Sequence, residues 1–167
     1  MSTPRAAVRY KINLKIEPAY RRKVDPAVLR AAARAALTDQ AAPVPCDLTI
    51  LIAGDGELRT LNRDFLGIDR PTDVLSFPSD EPDPANGRLY LGDIAISFPQ
   101  ARAAAQRSGH PVKAELQLLV VHAVLHLLGH DHARPAEKAR MWAAQAAILA
   151  SLKAAITGPS DDGPAVS

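Results

Sequence analysis

The segment that most constrains this chain is His122-Ala123-Val124-Leu125-His126-Leu127-Leu128-Gly129-His130-Asp131-His132. It closes a long apolar helix expected from about Pro111 to Leu128. His122 and His126 are four residues apart, so on a helix they project from one face a turn apart, and their imidazoles can meet one ion. Gly129 suits the left-handed position that ends a helix, after which the chain can turn back and deliver His132. Four of the five histidines fall within these eleven residues, which sets the segment apart from a lone histidine with a packing role. Three neutral imidazoles with a position left open match a catalytic zinc site better than a closed structural one. The expectation is one zinc ion per chain on His122, His126 and His132. Nickel or another imidazole-binding metal is the alternative.

The spacing His-x3-His-x2-Gly-x2-His is the metzincin ligand pattern, and it selects His132 rather than His130 as the third ligand. His130 then reads as a neighbouring polar group. Metzincin proteases carry a glutamate directly after the first histidine as general base. This chain has Ala123 there, which cannot accept a proton. A metal can still lower the pKa of its water to about 7 without that glutamate, so the site reads as hydrolytic but not proteolytic. Asp131 has two readings, a carboxylate that steadies a ligand histidine or a cap on the turn after Gly129. His110, between Gly109 and Pro111, reads as a surface loop residue.

The remaining pattern describes one α+β domain. Val8, Tyr10, Ile12, Leu14 and Ile16 alternate with Arg9, Lys11, Asn13 and Lys15, giving a half-buried strand over 8–16. Asp25-Pro26 is an N-cap followed by proline at the first helical position, opening a helix to about Leu37. A second strand is expected near 47–53, broken by Gly54-Asp55-Gly56. A short helix from about Glu57 to Phe65 would carry Leu58, Leu61 and Phe65 on one side. Strands at 71–77 and 88–98 flank a loop rich in Pro, Asp and Ser between Ser79 and Gly87. Helices follow from near Pro99, from Pro111 to Leu128, and from Pro135 to about Lys153. The expected architecture is a small mixed four-stranded sheet packed with helices, including a zincin-like metal-binding helix. Residues 1–156 would form a single metal-dependent hydrolase domain, and 157–167 a disordered tail with almost nothing to bury.

Composition excludes little. A formal charge of +2 over 167 residues permits an acidic partner such as RNA without arguing for one. The single cysteine, Cys46, stands before an apolar run and reads as a buried thiol. No stretch reaches the roughly 18 apolar residues of a membrane span, and the start of the chain lacks the apolar segment of a signal peptide, so a cytoplasmic protein is expected. For RNA, Arg9, Lys11 and Lys15 and then Arg21-Arg22-Lys23 offer positive charge, which binds phosphate without reading sequence. Three Phe, three Tyr and one Trp suggest no aromatic platform for stacking bases.

Residues 122–132 resemble the signature of the YbeY-type endoribonucleases, His-Gly-x-Leu-His-Leu-x-Gly-Tyr-Asp-His, differing at Ala123 and His130. Two further blocks resemble the same family in order and spacing: Pro71-Thr72-Asp73-Val74-Leu75-Ser76-Phe77-Pro78 and Leu91-Gly92-Asp93-Ile94-Ala95-Ile96-Ser97. Asn62 also falls at a usual family position, and the match runs from about Leu48 to Trp142. The resemblance implies a zinc-dependent hydrolase of single-stranded RNA, acting on the 3′ end of 16S rRNA and in ribosome maturation or quality control. Its implied partners are rRNA and the ribosomal small subunit with associated proteins. Many members carry an arginine, implicated in activity, where this chain has Leu66, and leucine cannot contact a phosphate. Arg63 and Arg70 lie nearby but read as solvated surface residues. The catalytic side chains beyond the metal ligands stay unassigned. Two rivals remain: a zinc metallopeptidase-like hydrolase, which Ala123 disfavours, and a non-enzymatic ribosome assembly factor, which Leu66 favours.

Overall fold

The computed structural model describes residues 9–79, 81–82 and 84–156. The expected tail beyond residue 156 and the strand's first residue, Val8, lie outside the described residues. In chain order the elements are β1 (Tyr10–Ile16), a single 3-10 turn (Pro18–Tyr20), α1 (Pro26–Asp39), β2 (Cys46–Ala53), α2 (Asp55–Leu66), β3 (Val74–Pro78), β4 (Leu89–Ser97), α3 (Phe98–Ser108), α4 (Val112–Leu127) and α5 (Pro135–Ser151). The sheet is mixed and four-stranded, in the order β1-β2-β4-β3. β1 and β4 both run parallel to β2, while β3 pairs antiparallel with β4 as an edge strand. The α+β architecture expected from the pattern is the one observed.

Local chemistry explains most of the boundaries. The Asp25 side chain accepts from the Ala27 N–H and Pro26 opens α1, as the Asp-Pro pair requires. Ser97 caps α3 by accepting from Gln100 N–H, so β4 ends one residue earlier than its apolar pattern suggested and Phe98 starts the helix. α2 begins at Asp55 rather than Glu57, because Gly54 takes the extended N-cap conformation and draws Asp55 and Gly56 into the first turn. The third strand begins at Val74 rather than Pro71. Phe65 departs from the apolar side expected of α2: it is 67% exposed, with its ring centroid 5.2 Å from that of Phe77.

One face of the sheet presents Leu48, Ile50, Ile52, Ile94 and Ile96 to the helices. α4 fills the centre of that layer, touching α1, α3, α5, β3 and β4. Thirteen of its sixteen residues are buried, which is why its apolar character runs all round. α2 covers part of the opposite face through Leu58 over Ala53, Leu75 and Ala95. Cys46 is buried as expected, and burial pushes its thiol up to about 11. At Gly92 the β2–β4 register shifts, and φ is +138°. A Cβ there would collide with the Phe77 carbonyl oxygen and stand 3.0 Å from Leu127 Cδ2 and Pro78 Cα. Glycine thus lets β3, β4 and the last turn of α4 close up together.

Candidate metal centre

α4 delivers His122 and His126 from one face, as their spacing requires. The helix stops at Leu127, and Gly129 at φ +97° turns the chain. His132 then returns to the same place. One ring nitrogen from each of His122, His126 and His132 lies within 4.8 Å of the others. The Nε2 atoms of His122 and His126 are 3.1 Å apart. Two donors about 2.0–2.1 Å from one tetrahedral zinc would stand roughly 3.3 Å apart, so this pair already has the separation such an ion needs. The donor set, the spacing and the protonation described next all fit an imidazole-bound metal.

Burial sets the protonation. His122 is fully buried, and desolvation, opposed only in part by a hydrogen bond to Gln145 and reinforced by the neighbouring His126 and His132, lowers its pKa to about 3. His126 is lowered as well, mainly by desolvation and then by His132, while a hydrogen bond to the His130 backbone opposes the shift. Neutral rings with free lone pairs are what a metal requires. Gln145, buried on α5, places Oε1 2.9 Å from His122 Nδ1. An amide oxygen only accepts, so the ring proton sits on Nδ1 and the Nε2 lone pair faces the other two histidines.

The sequence offered no direct sign of Gln145. The available clue was a polar residue on the buried stripe Met141, Gln145, Ile148, Leu149 of α5, since a buried amide needs a partner. Trp142 was missed too. Its ring meets His122 and His132 edge-on, with centroids 5.7 and 5.8 Å away.

The other sequence-stated positions fall into place around this group. His130 points elsewhere, its Nε2 2.7 Å from Gln40 Oε1 on the residue that caps α1. Asp131 Oδ1 accepts from the His132 N–H at 2.7 Å, the turn-capping role, and its charge also favours the protonated form of His126. His110 is not a surface residue. Gly109, left-handed at φ +75°, turns the chain inward, and buried His110 lies 2.6 Å from Glu115 in the first turn of α4. Leu66 is 45% exposed at the end of α2. Arg63 pairs with Asp64, and Arg70 is exposed. Lys11 and Lys15 are exposed on β1, at the opposite edge of the sheet from β3. α4 lies along β3, with Ser76 Oγ 3.5 Å from the Ala123 carbonyl. The basic strand is therefore not among the elements gathered at the histidines.

Comparison with known proteins adds a consistent set of relatives. The model of the family described as Endoribonuclease YbeY matches residues 13–153. A protein named Endoribonuclease YbeY from Chloroflexus aggregans is 46% identical over 135 residues, 77% of this chain and 88% of that one. One of the same name from Roseiflexus castenholzii is 43% identical over 147 residues, 84% of this chain and 92% of that one. Among solved structures, the solution structure of a Thermotoga maritima protein superposes with a TM-score of 0.58 at 23% identity, covering 93% of this chain and 99% of that one. That likeness speaks to the fold alone.

Proposed function

Since the chain belongs to the YbeY endoribonuclease family, we propose that it is a zinc-dependent endoribonuclease that cuts single-stranded RNA. The observation that carries this reading is the convergence of three imidazoles, one of them fixed by Gln145, at the turn after α4. His122, His126 and His132 would hold the metal. Bound there, zinc would supply Lewis acidity toward a phosphate and lower the pKa of a water toward neutrality. Gln145 keeps the His122 proton on Nδ1, and Gly129 sets the path that returns His132. Ala123 leaves no carboxylate where a zincin peptidase needs its base, which argues against the metallopeptidase reading.

The physiological substrate we propose is rRNA, at the 3′ end of the 16S species, with the ribosomal small subunit and its associated proteins as partners and the cytoplasm as the location. No helix among the described residues is long and apolar enough to cross a membrane. We take residues 1–156 as one hydrolase domain. A non-enzymatic assembly role is the second reading, favoured by Leu66 at the position where many members carry arginine.

The test is cleavage of labelled single-stranded RNA, duplex RNA and peptides by purified protein, with and without chelator, beside a His126→Ala variant. The expected result is cleavage of the single strand alone, lost with chelator and in the variant, which should also hold less metal and melt lower. Inert wild type that still binds ribosomal particles would transfer the case to the assembly role.

A further inference from the structure

β1 stands at one edge of the sheet, and α1 packs beside it. Two cavities open along the seam between them. One, of about 730 Å³, is lined by Lys15, Arg21 and Arg30 over Leu14 and Ile16, with Glu17 as its carboxylate. The other, of about 630 Å³, lies at the Tyr10 end of β1 and is lined by Arg9 and Arg34. Arg30 and Arg34 are four residues apart on α1, so they share one helix face and link the two cavities.

None of these five cations makes an ion pair among the described residues. Arg21 donates from Nε to the Ile16 carbonyl at 3.3 Å, which ties its side chain back to the end of β1. Among the described residues, the lining sets five cations against one carboxylate, a net charge of +4 where the whole chain has +2. The rest of the molecule is therefore acidic on balance, and the excess positive charge is gathered at the seam. Beside the histidines, by contrast, Asp131 and Glu137 share a smaller cavity with Arg140. Attraction of a polyanion thus centres on β1 rather than on the proposed metal ligands. Of the cations the sequence offered for RNA, Arg9, Lys15 and Arg21 line the seam, and α1 adds Arg30 and Arg34.

We propose that the seam between β1 and α1 is a second RNA-contact surface, holding the phosphate backbone of the substrate beyond the segment at the metal centre. The inference rests on the endoribonuclease reading above. Guanidinium groups meet phosphate through paired hydrogen bonds, and four of the five cations are arginine. Apart from Tyr10 and Thr38 the uncharged lining is apolar and offers base edges little to bond, so the surface holds backbone without selecting sequence. The charge extends along β1 from Arg9 to Lys15 and beyond its end to Arg21. An evenly charged backbone meets such a row continuously, whereas a peptide laid on the β1 edge would need a matching run of acidic side chains.

The test uses full-length protein stripped of metal by chelator, with affinity for a long unstructured RNA read from the anisotropy of its label. Arg30→Ala/Arg34→Ala should weaken binding about tenfold and lower the slope of log affinity against log salt by about 1–2. Arg30→Lys/Arg34→Lys should keep that slope, because the charge is retained. Arg107→Ala/Lys113→Ala removes as much charge from exposed positions outside the seam and should leave affinity and slope as in wild type. With zinc restored, the Arg30→Ala/Arg34→Ala variant should show a raised KM for the same RNA at an unchanged kcat. Wild-type affinity and slope in Arg30→Glu/Arg34→Glu, or an equal loss in Arg107→Ala/Lys113→Ala, would overturn the seam. So would variants that bind RNA normally but lose ribosomal particles, since the occupant would then be an acidic protein face. In each of these cases cleavage by wild type leaves the endoribonuclease reading standing. Wild type that neither binds nor cleaves RNA would remove both. Arg34 is exposed, so Arg34→Glu alone decides the matter if the double variants fold poorly.

Discussion

Replacing Gln145 by leucine isolates the one hydrogen bond that orients the proposed metal site. The two side chains have similar volume, so the cavity term is small and the loss falls on His122 Nδ1–H. That proton lies on a fully buried ring, and its acceptor, 2.9 Å away, belongs to a residue only 3% exposed. Burial of both groups keeps bulk water from replacing it. An orphaned buried donor costs about 1–3 kcal/mol, so metal-free Gln145→Leu should lose about 2 kcal/mol. For a domain of this size that lowers the melting temperature by roughly 4–8 °C. Losing the group that fixes a ligand imidazole commonly weakens metal binding about 10- to 100-fold. The metal-loaded variant should therefore fall further below wild type than the metal-free one. Thermal melts with and without chelator, beside a zinc competition titration, separate the two effects. Gln145→Glu keeps an acceptor at the same place and should retain metal affinity. Wild-type metal affinity in Gln145→Leu would refute the argument that this bond holds His122 in its ligating form.

Three further outcomes follow from the geometry. Leu66→Arg puts a cation at an exposed position and should preserve or raise the rate of single-strand cleavage under the same metal loading; a fall in rate would mean the side chain does not face the substrate. Gly92→Ala should destabilise the protein by about 3 kcal/mol or more in chemical denaturation, because a positive φ and a collision with the Phe77 carbonyl must both be relieved. The metal-free protein should lose stability as pH falls from about 6.5 toward 3: His122 is depressed to about 3, so the unfolded chain takes up its proton first, at about 1.4 kcal/mol per pH unit. Denaturation midpoints at pH 7, 5.5 and 4.5 check this, and His122→Leu should flatten the dependence by about one proton.

Legibility followed the range of the interactions concerned. β1, the start of α1 and the meeting of His122, His126 and His132 are written in local periods and caps, and they could be read directly. Turn chemistry was harder, since Gly54 and Gly109 each allowed two paths, and those paths moved the start of α2 and carried His110 inward against Glu115. Gln145 and Trp142 were out of reach for another reason. They arrive on a separate helix, and no pattern within α5 says that its Gln145 will face a histidine twenty-three residues earlier. The sheet order β1-β2-β4-β3 is equally non-local, because β4 inserts beside β2 ahead of its chain neighbour β3.

The position of α4 in the chain bears on how the molecule is made. All four strands precede residue 98, so during synthesis the sheet's residues emerge before the helix that covers them. Until Val112–Leu127 follows, Leu48, Ile50, Ile52, Ile94 and Ile96 have no α4 to pack against and offer an apolar face to whatever is nearby. A nascent chain halted before α4 is thus the aggregation-prone form of this protein, and α4 is the piece that makes it safe. The same helix carries two of the three proposed metal ligands, so neither the covered core nor the site can form before it emerges.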